Sequence, residues 1–181
     1  MRMMRFIMPM LSVALLASCT TPSSSLQQTQ SDPSRYHGDR RAFPNEMTPA
    51  PGRRVFLFSP KHLAWGAYEA DGTLVGYGRA SGGSDWCKAL GRPCRTPAGV
   101  FSVKSKGEYE CYSSKYPLPK GGAHMPYCMF FFGGYAIHGA PPGYVPDYNA
   151  SHGCIRITTN AARWLRDNFM QIGTRVQVTS Y

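Results

Sequence analysis

From Arg54 onward the chain is a series of short β-branched and aromatic runs broken by Gly and Pro, and only one stretch repeats with the period of a helix. The runs are RVFLF at 54–58, HLAWGAYE at 62–69, TLVGYGRA at 73–80, GVFSV at 99–103, CMFFF at 128–132, YAIHG at 135–139 and TRVQVTS at 174–180. Such runs favour strands, and Asp71-Gly72 between the second and third marks a hairpin turn. The helical stretch follows Thr158 or Thr159 as N-cap, sets Ala161, Trp164, Leu165 and Phe169 on one face, and ends by Gly173. Residues 53–181 therefore read as one mainly β domain with at least one short helix near the C-terminus, large enough for a core.

The first residues are of another kind. Two arginines lie within Met1–Arg5, residues 6–15 are apolar apart from Pro9 and Ser12, and Leu16-Ala17-Ser18-Cys19 follows. Residues 1–18 read as an export signal, too short and interrupted for a membrane-spanning helix. The cysteine that ends it resembles the lipobox of bacterial lipoproteins, which implies a lipid on Cys19 and attachment to a membrane. Thr20 in place of Asp resembles the pattern that sorts such proteins to the periplasmic face of the outer membrane. Residues 19–52 are rich in Ser, Thr, Gln and Pro and read as a flexible tether, with YHGDRR at 36–41 a solvated segment.

Charge points the same way. The formal net charge is +10, or +8 without Arg2 and Arg5. After an export signal, anionic envelope polymer or lipid head groups fit that charge better than nucleic acid.

With Cys19 assigned to lipid, Cys87, Cys94, Cys111, Cys128 and Cys154 remain. An oxidising compartment favours pairing, and an odd number leaves one out. Cys87 with Cys94 would close a short loop and Cys111 with Cys128 a longer one; spacing alone leaves the other pairings open. Cys154, in SHGCIR at 151–156, is the natural odd cysteine.

Its neighbourhood suits nucleophilic chemistry. A cysteine nucleophile needs a base, a means of orienting that base, and donors for the oxyanion. His138 can be the base if the YAIHG strand runs beside the SHGC turn, and the Gly139 carbonyl or a neighbour's can fix its tautomer. The N–H groups of Gly153 and Cys154 are candidate oxyanion donors, and Arg156 can fork onto a carboxylate. Together these suit acyl transfer on a carboxylate-bearing substrate.

IHG followed by SHGCIR, with RTPAGVF at 95–101 upstream, resembles the catalytic domain of the L,D-transpeptidases of bacterial peptidoglycan over roughly residues 55–181. The resemblance implies a β-sandwich-like fold with the cysteine in a cleft under a mobile loop. It also implies that Cys154 is the nucleophile, His138 the general base, and Gly139 the residue whose carbonyl orients that base. His152 and Gly153 would shape the cleft and oxyanion site, with Ser151 and Arg156 as flanking polar positions for substrate. The expected substrate is a tetrapeptide stem cleaved after its diamino acid, releasing D-Ala and passing the acyl group from cysteine to an amine. A stem peptide, a D-amino acid or an envelope protein would suit as acceptor, and no cofactor is implied. The four further cysteines and the compact, proline-rich 139–150 segment depart from the family pattern and bear on the substrate loops.

Other readings fit less well. A zinc site from His138, His152 and Cys154 lacks a fourth ligand, so no metal is expected. A papain-like protease would place its cysteine before its histidine. A peptidoglycan amidase with water as acceptor, or a cell-wall-binding lipoprotein without turnover, are the functional alternatives. Asn149-Ala150-Ser151 is formally a glycosylation sequon but overlaps the catalytic motif. Tyr112, Tyr116, Tyr127 and Phe130–Phe132 are candidates for a glycan-facing groove.

Overall fold

The computed structural model describes residues 32–39, 49, 52–141 and 143–181. The expected export signal, Cys19 and most of the expected tether lie outside the described residues.

The runs form strands as expected: β1 (Tyr36–His37), β2 (Val55–Ser59), β3 (Ala64–Tyr68), β4 (Leu74–Arg79), β5 (Gly99–Ser102), β6 (Ser105–Lys106), β7 (Met129–Phe132), β8 (Tyr135–Ala140), β9 (Ile155–Thr158) and β10 (Arg175–Val178). They make a six-stranded sheet, in the order β1-β4-β3-β2-β10-β5, and a four-stranded sheet, in the order β6-β7-β8-β9. The fold is thus mainly β, as the sequence implies.

Alternation along each strand makes the core. Phe56, Phe58, Trp65, Val176 and Val178 of the first sheet meet Met129, Phe131, Ile137, Ile155 and Ile157 of the second in one buried cluster. Helix α1 (Thr159–Trp164) leads into a wider turn at Leu165–Phe169, and Ala161, Ala162, Trp164, Leu165 and Phe169 enter the same cluster. Thr158 caps α1, its hydroxyl accepting from Ala161 N–H at 3.3 Å. At the other end Lys106 Nζ donates to the carbonyls of Arg166 (2.9 Å) and Met170 (2.8 Å), which places a cation against the exposed carbonyls of the turn.

The segment expected to be a tether is ordered in part. Tyr36 and His37 pair in parallel with Gly76 and Tyr77 of β4. The Tyr36 ring packs against Trp65 and Trp164 with centroids 5.9 and 5.8 Å away, and Trp164 Nε1 donates to the Pro33 carbonyl at 2.9 Å. YHGDRR is therefore not wholly a solvated segment. A two-residue strand carries no periodicity to read, and Tyr36 is drawn in by two indoles contributed by distant parts of the chain.

Gly76 makes that packing possible. A Cβ there would lie 2.6 Å from Trp164 Cζ3. Gly76→Ala is accordingly expected to lower stability by about 1–3 kcal/mol through overpacking, read as a lower denaturation midpoint. An unchanged midpoint would show that Trp164 moves freely.

Candidate active site

The site is set by two adjacent parallel strands. β8 and β9 pair with Ile137 opposite Ile155 and His138 opposite Arg156. Side chains alternate, so Ile137, Ile155 and Ile157 enter the core while His138 and Arg156 face the other side of the sheet. Cys154, two residues before Arg156, reaches the same side and shares a cavity of about 320 Å³ with both. The sequence-predicted nucleophile, base and arginine thus converge.

His138 is buried and its Nδ1 lies 2.8 Å from the Gly139 carbonyl. A carbonyl only accepts, so Nδ1 carries the proton and Nε2 is left with the lone pair. Burial, above all, pushes the imidazole pKa down to about 4; the Gly139 carbonyl opposes this, and the Arg156 and His124 charges add to it. Gly139 also allows a close approach, since a Cβ there would lie 2.9 Å from Thr159 Cα. Its own N–H donates to the Pro126 carbonyl at 2.8 Å.

Cys154 is the one free cysteine among the described residues, with Cys87 bonded to Cys94 and Cys111 to Cys128. Its Sγ lies 4.0 Å from the Gly134 carbonyl. Burial raises the thiol pKa, against the lowering effect of the Ala136 backbone and of Arg156. The net upward shift favours the protonated thiol. Its alkylation by iodoacetamide is expected to be slow at pH 7 and to rise only above the ordinary thiol range. A rate already at its plateau between pH 5 and 8 would instead reveal a standing thiolate–imidazolium pair.

The SHGC turn is held by hydroxyls. Ser151 is buried; its Oγ donates to the Cys154 carbonyl at 2.6 Å and accepts from Gly153 N–H at 2.9 Å. The expected oxyanion donor at Gly153 is thus engaged by Ser151, which leaves Cys154 N–H as the other candidate. Gly153 has φ of 120°, and a Cβ on it would collide with the Tyr135 ring, so glycine is required on both counts. His152 stacks on Tyr116 at 4.3 Å, which ties the motif to the loop above it. Arg156 is half-buried, and no carboxylate pairs with its guanidinium among the described residues.

Sequence reasoning missed two supporting residues. Thr96 is buried, donates from Oγ1 to the Gly153 carbonyl at 2.9 Å, and accepts Gly83 N–H at 2.9 Å. Tyr181 OH donates to the Gly83 carbonyl at 2.8 Å and accepts Thr96 N–H at 2.8 Å. A chain of hydrogen bonds therefore runs from Tyr181 through Thr96 and Gly153 to Ser151 and Cys154. RTPAGVF gave the only local signal, and it marked Thr96 without its role.

The segment between Cys111 and Cys128 covers the thiol. Cys154 packs against Met125, Cys128 and Ala136, and a second cavity of about 320 Å³ also meets it. Of the aromatics expected in a groove, Tyr112, Tyr116 and Phe130 line this cavity, whereas Tyr127 and Phe131 pack in the core. Phe132 lies at a separate surface beside Arg53, Lys104 and Arg175. The Asn149 amide accepts from Gly82 N–H (2.8 Å) and donates to the Pro60 carbonyl (3.1 Å), so the sequon is occupied structurally.

The family model for the L,D-transpeptidase catalytic domain matches residues 52–178, well over half of the chain. The chain belongs to that family. An L,D-transpeptidase from Xylanimonas cellulosilytica is 34% identical with a TM-score of 0.61, over 72% of this chain and 63% of that one. One from Stackebrandtia nassauensis is 20% identical with a TM-score of 0.61, over 76% and 61% of the two chains. One from Mycobacterium tuberculosis is 23% identical with a TM-score of 0.57, over 72% and 59%. The last two share the fold, and the chain spans about three fifths of the length of each structure. The chain has no match among curated proteins.

Thr96→Val would strand the Gly83 N–H and the Gly153 carbonyl, and Tyr181→Phe the Gly83 carbonyl and the Thr96 N–H. Each is expected to cost about 1–3 kcal/mol, read by denaturant unfolding, and to slow alkylation or acylation of Cys154. Unaltered stability and thiol reactivity in both variants would show that the chain of bonds is dispensable.

Proposed function

We propose that the protein is a peptidoglycan L,D-transpeptidase, carried on the periplasmic face of the outer membrane by lipid on Cys19. The observation that carries this reading is the single cavity shared by the Cys154 thiol, the His138 imidazole with its proton held on Nδ1, and an Arg156 that pairs with no carboxylate among the described residues.

As substrate carbonyl approaches, His138 Nε2 takes the thiol proton while Cys154 Sγ attacks the carbon between the diamino acid and D-Ala. The Cys154 N–H meets the oxyanion. Breaking the C–N bond expels D-Ala as an amine that takes the proton back from His138, and a thioester remains. An acceptor amine then attacks the thioester, gives a proton to His138, and displaces the thiolate, which recovers it. Arg156 binds the carboxylate of the departing D-Ala. Both cavities meet Cys154, which gives an incoming amine room to reach the thioester.

The test uses the full chain in detergent with a disaccharide-tetrapeptide, with and without added amine, followed by mass spectrometry of products and intact protein. Release of D-Ala, a dimer or amine-exchange product, and a carbapenem adduct on Cys154 are expected. Tripeptide alone would make the enzyme a hydrolase. Release that survives Cys154→Ala would exclude the mechanism, and adduct on another residue would exclude the site.

A further inference from the structure

The two cavities that meet at Cys154 are chemically unlike. Ser113, Tyr116, Met125 and His152 line both, but His138 and Arg156 line only the first. The departing amine must receive its proton from His138. The D-Ala side of the scissile bond therefore lies in the first cavity, and the acyl side extends into the second.

That second cavity has no acidic lining residue and two cations, Arg92 and Lys115. Neither pairs with a carboxylate among the described residues. Each stands on a rim fixed by a disulfide. Arg92 is within the Cys87–Cys94 loop, where its carbonyl accepts Cys87 N–H at 2.9 Å. Lys115 is within the Cys111–Cys128 segment, its Nζ 5.5 Å from the centroid of Tyr116. Two extra disulfides thus close the two loops that bring positive charge to the groove proposed to take the acyl chain.

We propose that Arg92 and Lys115 are specificity-determining residues that select donor stems with free carboxylates on the acyl side, rather than stems in which those groups are amidated. This rests on the L,D-transpeptidase reading above. Free carboxylates complete two ion pairs at a groove that holds no competing acid, whereas amides leave both cations without an ionic partner. The rims are open to water, so the preference is moderate and sensitive to salt.

Two tetrapeptide donors differing only in free or amidated acyl-side carboxylates are given to the full-length protein, and D-Ala release is measured as kcat/KM. A preference of about ten-fold for the free acid is expected, carried mainly in KM and reduced at 1 M salt. Arg92→Gln and Lys115→Gln should each erode it by several-fold, and Arg92→Lys should retain most of it. Equal use of the two donors by the wild-type protein, or a preference untouched by both glutamine variants, overturns the proposal while leaving the transpeptidase reading intact. No D-Ala release from either donor overturns that reading instead. Should Arg92→Gln melt at a lower temperature, the Lys115→Gln and Arg92→Lys comparison still decides.

Discussion

The parallel register of β8 against β9 is the constraint on which the site depends. With His138 opposite Arg156, three isoleucines enter the core and the reactive groups share the other face. A slip of one residue in either strand would turn His138 or Arg156 into the core and an isoleucine into the cavity. Burial of Ile137, Ile155 and Ile157 therefore specifies the site as strongly as any contact within it. The register is also held from outside by the mutual hydrogen bonds of Ser81 and Arg156, at 2.9 and 2.8 Å. The core of the fold and the geometry of the chemistry are one structural decision.

The same burial bears on where the proton sits. Dehydration raises the thiol and lowers the imidazole, both of which keep the proton on sulfur. Arg156 acts on both partners, favouring thiolate and disfavouring imidazolium. A protonated thiol is also a poor partner in disulfide exchange, which suits a free cysteine beside four paired ones.

What could be read in the sequence was what is local. Strand runs announce themselves through neighbouring residues, Thr158 through the helix that follows it, and Cys154 with His138 through short motifs of distinctive chemistry. Thr96 and Tyr181 gave no such signal, because their partners are backbone groups 57 and 98 residues away. Cysteine spacing offered the observed pairs but did not choose them; the choice is made by the sheet, which carries Cys128 back beneath Cys111. The docked Tyr36 was hidden for a related reason. A two-residue strand has no period, and the indoles that hold it belong to β3 and to the helix.

The extra cysteines bear on Cys154 through packing. The segment above Cys154 is rich in Gly, Pro and polar residues, and beneath it the buried cluster is small: Met125, Cys128 and Ala136, with Cys111, Phe130 and Cys154 against them. So few apolar contacts cannot hold a long loop closed by themselves. A disulfide across a separation of 17 residues removes chain entropy worth roughly 3 kcal/mol from the unfolded state, comparable to burying one large side chain. Cys128 belongs to the bond and to the cluster, and it immediately precedes β7. Closing the loop therefore also brings Met125 and Cys128 against the half-buried Cys154 thiol.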